Sequence, residues 1–189
     1  MVNKRYCERK TMEDKMRMPK KNIVLVGFMG TGKTVVAALI AKELGISFIR
    51  TDDIIEKKAG MFINDIFAKK GESYFRQLER EAIMEVSAEE STVIDTGGGA
   101  VINELNVADL KMNGILFCLN ATPEEIYKRV SQRTHRPLLN VEDPLGEISY
   151  LLKKRESYYR RADYQINTTG KTARDIANEI MEIYRRTGK

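Results

Sequence analysis

The sequence predicts an α/β domain in which a central parallel sheet carries helices on both faces. Two observations lead there. Short apolar runs rich in β-branched residues alternate with longer amphipathic stretches, the pattern of strand-helix-strand units. The first such run leads through a glycine-rich turn straight into a helical stretch, as a strand feeding a crossover helix does. A length of 189 residues suits one domain able to bury about two-thirds of the surface its unfolded chain exposes, so it needs no disulfide or metal staple.

In chain order, residues 1–21 alternate charge with Met and hold no sustained 3.6-residue apolar period. They are expected to be a solvated basic arm, or an extension ahead of a true start at Met12, Met16 or Met18. The domain then runs from 22 to 189. Strands are expected at Ile23–Val26, Ser47–Ile49, Thr92–Ile94, Ile115–Leu119 and Tyr164–Ile166, each short, apolar and bounded by turn residues. Helices are expected at Lys33–Leu44, Gly71–Ala88, Thr122–Arg133, Gly146–Arg161 and Thr172–Arg186. Two intervals fit the alternation poorly, Asp52–Lys70 and Thr134–Pro144, the latter with Pro137 and Pro144. Inserted lobes or lids belong in such places.

Composition narrows the function classes. The net charge is +5, but residues 1–21 carry eight Lys/Arg against three acids, an excess of five that accounts for all of it. A neutral body without interleaved aromatics argues against a nucleic-acid partner. Cys7 lies in the tail and Cys118 in an apolar run, which is no disulfide framework and suits a reducing compartment. No run approaches the ~18 apolar residues of a membrane span, and the N-terminus lacks a signal-peptide core, so no membrane partner and a cytoplasmic location are expected.

Gly27-Phe28-Met29-Gly30-Thr31-Gly32-Lys33-Thr34 satisfies G-x-x-x-x-G-K-[ST] between a strand and a helix, where the phosphate-binding mechanism requires it. Its glycines let backbone N–H groups curl toward phosphate oxygens, and the helix N-terminus adds partial positive charge. Lys33 would bridge the β- and γ-phosphates and Thr34 would offer its hydroxyl to Mg²⁺. An ATP-binding set of Gly30, Thr31, Gly32, Lys33, Thr34 and Val35 follows. A GTPase would need N-K-x-D after a later strand, where this chain reads Asn120-Ala121-Thr122-Pro123.

The form of that loop, then Thr51-Asp52-Asp53-Ile54-Ile55-Glu56, Gly71-Glu72-Ser73-Tyr74-Phe75-Arg76-Gln77-Leu78-Glu79, Thr96-Gly97-Gly98-Gly99-Ala100 and Arg136-Pro137-Leu138-Leu139, resemble the shikimate kinase family from about Asn22 to the C-terminus. The resemblance implies a three-layer P-loop kinase fold with strand order 2-3-1-4-5, an acceptor lobe near 52–79 and a lid near 133–144. It implies ATP-dependent phosphorylation of the shikimate 3-hydroxyl to shikimate 3-phosphate, on the route to chorismate and aromatic amino acids, with Mg²⁺, by a monomer. Arg76 and Arg155 match the family's carboxylate-binding arginines, and a planar guanidinium suits a carboxylate better than Lys does. Asp52 matches the acid at the reacting hydroxyl, and Gly97, Gly98 and Gly99 match the backbone that approaches the ring. Arg136 matches the lid arginine over the ATP phosphates and Arg129 the one at adenine. Lys171 is expected to be a further nucleotide contact, in a segment (168–173) without the proline the family often uses there. Lys33, Asp52 and Arg136 are thus the expected catalytic set, and His135 is expected to be solvated. Taken singly, Arg76 also reads as a helix-face charge, Asp52 as an N-cap for residues 54–59 and the triple glycine as an ordinary turn.

One position departs. The family usually has Asp-x-Asp at the end of the second strand, and here the triplet is Arg50-Thr51-Asp52. Asp95 ends the third strand in Walker-B fashion and is expected to serve Mg²⁺ together with Thr34, with Arg50 pairing to it or to a phosphate. A plain Arg50–Asp95 ion pair, compensation by Asp53 and an impaired site stay open. Two other functions fit less well. One is another kinase of this architecture, such as a gluconate kinase. The other is a nucleotide-sensing module without catalysis.

Overall fold

The computed structural model describes residues 21–131 and 141–187. The basic tail up to residue 20 and most of the expected lid, with His135, Arg136 and Pro137, lie outside the described residues. Five strands, β1 (Asn22–Val26), β2 (Ser47–Arg50), β3 (Thr92–Asp95), β4 (Gly114–Asn120) and β5 (Tyr164–Asn167), form one parallel sheet in the order β2-β3-β1-β4-β5. This is the expected order. Among the described residues seven α-helices flank it: α1 (Lys33–Leu44), α2 (Thr51–Ala59), α3 (Ile63–Ser87), α4 (Glu104–Met112), α5 (Pro123–Val130), α6 (Pro144–Tyr159) and α7 (Ala173–Thr187).

β1 lies at the centre, and its alternation divides the core. Ile23 and Leu25 join Val36, Ile40, Ile180 and Tyr184 under α1 and α7, whereas Val24 and Val26 join Ile83, Leu110, Ile126 and Ile148 on the other face. Strands buried on both faces read as continuous apolar runs, as β1, β3 and β4 do, whereas β2 and β5 at the sheet edges are only partly buried. A third cluster, Ile55, Ile66, Phe75, Leu78 and Ala82, belongs to α2 and α3 alone. At about 1.5–3 kcal/mol for each large buried side chain, it lets this lobe hold its own shape beside the sheet.

The interval 52–70, which fitted no element, is helical. Nine-residue α2 is too short to display a helical period, and α3 begins eight residues before the expected Gly71. Gly71 has φ 81° and ψ 172°, so α3 is two helical pieces joined at a residue that only glycine tolerates well. The second piece, Glu72–Ser87, is the helix the apolar period predicted. α4 was also missed; Asn103 caps it by accepting from Leu105 N–H. Arg50, not Asp52, occupies the N-cap of α2, and Asp52 stands in its first turn.

Candidate functional site

The phosphate loop closes on itself. A Cβ on Gly27 would lie 2.4 Å from Leu119 O, so β1 and the loop exit can approach β4 only with glycine there. Thr31 Oγ1 donates to Phe28 O, and Lys33 Nζ donates to Gly27 O at 2.9 Å and Phe28 O at 3.2 Å. The first turn of α1 carries no acid, which leaves its positive end to an anion. Val35, 51% exposed, follows on that turn.

Arg129 is held more firmly than a flat stacking plate needs. Nη2 donates to Thr168 O at 2.9 Å, Nη1 to Thr168 Oγ1 at 3.1 Å and, at 3.4 Å each, to Gly30 O and Thr31 O, while Nε donates to Glu125 at 2.8 Å. It therefore ties the loop after β5 to the phosphate loop. Lys171, from the same loop after β5, donates to Glu179 at 2.7 Å.

The residues expected at the acceptor gather around the triple glycine after β3. A Cβ on Gly97 would stand 3.2 Å from both Asp52 Oδ1 and Glu79 Oε1, one on Gly98 3.5 Å from Gly27 O and Met29 N, and one on Gly99 2.5 Å from Arg76 Nη1. None of the three has a positive φ, so backbone freedom is not what they supply; Gly97 and Gly99 leave room for the side chains beside them, whereas a Cβ on Gly98 would make only ordinary contact. Arg76 reaches this point from α3, donating to Glu79 Oε2 at 2.7 Å and to Glu72. Arg155, from α6, lies 5.6 Å from the centroid of Phe28 in the phosphate loop.

Two residues that sequence reasoning passed over complete this group. Glu79 is 2% exposed, and its Oε1 has no hydrogen-bond partner although it faces Gly97. The spacing Arg76-x-x-Glu79 on one helix face was the available signal. Tyr159 donates its hydroxyl to Gly98 O at 2.8 Å, anchoring the glycine turn to α6, and it stands one turn after Arg155.

Three carboxyls here have raised pKa values. Burial lifts Asp52, with Lys33 opposing and Asp95 adding to the rise. Burial lifts Glu79 against the pull of Arg76, and burial lifts Asp95 against Lys33 and the Thr34 hydroxyl. Asp52 and Asp95 thus share Lys33 as the strongest cation acting on each.

Thr34 and Asp95, the residues expected at Mg²⁺, also meet. Thr34 Oγ1 donates to Asp95 Oδ2 at 2.6 Å, which puts a P-loop hydroxyl and a carboxylate side by side. Hard oxygen donors of this kind fit Mg²⁺, which takes one or two carboxylates plus phosphates and water. Arg50 Nη1 is 2.8 Å from Asp53 Oδ1, and its Nε is 3.9 Å from Asp95 Oδ2. Of the expected site residues only Arg136 lies outside the described residues.

The shikimate kinase family model matches residues 29–185. A shikimate kinase of Thermodesulfovibrio yellowstonii is 48% identical over 166 residues, covering 88% of this chain and 96% of its own. The structure of a shikimate kinase from Acinetobacter baumannii in complex with shikimate superposes with a TM-score of 0.84 at 38% identity, covering 93% of this chain and 97% of its own. A gluconokinase from Sinorhizobium meliloti 1021 covers 91% of this chain and 95% of its own at 14% identity and a TM-score of 0.54, a likeness of fold alone. A family match across almost all of the described fold, joined to near-half identity over a relative's whole length, has one meaning: this chain belongs to the shikimate kinase family.

Proposed function

We propose that this chain transfers the γ-phosphoryl group of ATP to the 3-hydroxyl of shikimate, giving shikimate 3-phosphate and ADP. The observation that carries the reading is the bracketing of one glycine turn by opposite charges: Asp52 beside Gly97 and Arg76 beside Gly99, with Gly98 against the phosphate loop. A small ring bearing a carboxylate and hydroxyls matches that order of groups. Arg76 and Arg155 would take its carboxylate and Asp52 its reacting hydroxyl, oriented toward the loop that holds the nucleotide.

In the transfer the hydroxyl oxygen bonds to the γ-phosphorus as the bond to the β-γ bridging oxygen breaks, and the hydroxyl proton passes to Asp52. Lys33 and the loop N–H groups, fixed before the reaction, face the charge that gathers on the phosphoryl oxygens. Mg²⁺, held through Thr34 with Asp95 beside it, would supply further neutralisation there. Glu79 keeps Arg76 aimed, and Arg129 keeps the nucleotide loops together. The lobe formed by α2 and the start of α3, hinged at Gly71, and the lid bearing Arg136 would close before transfer. A monomer in the cytoplasm suits this chemistry, and no helix among the described residues is long and apolar enough to cross a membrane.

The test is coupled ADP release from ATP and Mg²⁺ with shikimate or gluconate as acceptor. Release with shikimate alone is expected; release with gluconate alone, or ATP binding without ADP release for either acceptor, would discard the reading. Arg76→Lys keeps the charge but loses the planar contact. It should raise KM for shikimate by about 10–100-fold, what losing one charged hydrogen bond costs, with a smaller change in kcat. An unchanged KM would remove Arg76 from the acceptor site.

A further inference from the structure

Arg50 and Asp95 are register partners, the last residues of neighbouring strands β2 and β3. Exchanging an acid between them moves a carboxylate sideways by about one strand spacing, roughly 4.8 Å, along the rim that carries the phosphate loop. Resting on the phosphotransfer reading above, we propose that the carboxylate serving the nucleotide's divalent cation has crossed this rung in this chain. It stands at Asp95, opposite Arg50 on the neighbouring strand.

The surroundings of Asp95 suit that role. It is 6% exposed, and its Oδ2 accepts from the Thr34 hydroxyl, on the first turn of α1 directly after the phosphate loop. Arg50 approaches the same oxygen from β2, its Nε at 3.9 Å and making no hydrogen bond. A pair at that distance without a hydrogen bond is no strong structural clamp, and Thr34 is the closer partner of the carboxylate. Asp53 does not substitute by slipping one residue: its side chain is 59% exposed and turned to Arg50 Nη1. Arg50 thus reaches two acids, Asp53 on its outer side and Asp95 on its inner side. The inner one remains next to the P-loop hydroxyl. One hydroxyl and one carboxylate, the rest of the shell coming from phosphate and water, is a donor set magnesium accepts.

The experiment uses the full chain in excess over ADP and counts free Mn²⁺ by electron paramagnetic resonance, with ADP affinity in EDTA as the control for fold and nucleotide binding. Asp95→Asn is expected to weaken Mn²⁺ in the protein–ADP complex by about tenfold or more, with ADP affinity in EDTA within about threefold of wild type. The exchange Arg50→Asp/Asp95→Ser is expected to return Mn²⁺ affinity to within about threefold of wild type, whereas Asp95→Ser alone stays weak. Unchanged Mn²⁺ affinity in Asp95→Asn overturns the assignment, and an exchange variant as weak as Asp95→Ser overturns the crossing. A wild-type chain that holds Mn²⁺ and ADP but releases no ADP with shikimate would instead sink the phosphotransfer reading and leave this one standing.

Discussion

Asp52→Asn is expected to lower kcat by about 10²–10⁴-fold, the range for losing a positioned acid-base group, and at the same time to make the ligand-free protein more heat-stable. The two effects have one cause. Asp52 is drawn into the lobe by α2 and set beside Gly97, where burial raises its pKa and Lys33 only partly restores the charged form. A carboxylate with a raised pKa is the better proton acceptor, so wild-type activity should fall as pH drops through a value above the ordinary 3.8, and this limb should be absent from the variant. For stability the sign runs the other way. The folded chain keeps the proton at a pH where the unfolded chain has released it, so this contribution is lost as pH rises from 3.8 through the raised value. At neutral pH the ionised group costs stability, and Asn of the same size removes that cost. The first-turn acid that favours the α2 dipole is not lost either, since Asp53 remains. A rise in Tm of about 2–4 °C, equivalent to ~1 kcal/mol in a chain of this length, is the expected reading by calorimetry. Activity within threefold of wild type would exclude Asp52 from proton transfer, and a lowered Tm would make it a structural residue.

How far the fold could be read in advance depended on burial. β1 and β4 are sealed on both faces and bounded by turns, so their apolar runs admitted one interpretation. α2 and the first piece of α3 share a small apolar cluster through Ile55 and Ile66 and show no long amphipathic period, and the break at Gly71 divided what period there was. α4 relies on an Asn cap and three buried residues, too little pattern to stand out from a loop.

The site was legible where chemistry imposes spacing within one segment, as in the phosphate loop and the triple glycine. It was less so where distant segments converge. Nothing in the sequence says that the Tyr159 hydroxyl reaches Gly98 O across 61 positions, or that Arg50 and Asp95 share a rung. Glu79 lay between these cases: its helix-face neighbour Arg76 was noticed for its own charge, while the acid that aims it was overlooked. The glycines were expected to leave space for a ligand, and the space they leave is shared with Asp52, Glu79 and Arg76. The packing that makes the turn glycine-rich is thus the packing that brings Asp52, Glu79 and Arg76 together.

Lys33→Met should show how strongly those groups depend on one cation. Turnover is expected to fall by about 10³-fold, the upper end of the loss from deleting one preorganised charge donor, because the loop N–H groups alone would face the phosphoryl oxygens. A second consequence is visible without substrate. Lys33 is the strongest influence holding down the pKa of both Asp52 and Asp95, against the burial that raises them. Without it both acids hold their protons to higher pH. More folded-state protonation over that interval means that stability falls more steeply as pH rises above 3.8. Melting curves across pH 4 to 8 should therefore diverge, with the variant losing Tm relative to wild type toward the alkaline end, and the gap should narrow in Lys33→Met/Asp95→Asn, where one of the two dependent charges is gone. Parallel curves would show that the loop carbonyls of Gly27 and Phe28, which Lys33 also binds, and not the two acids, are its main partners in the resting protein.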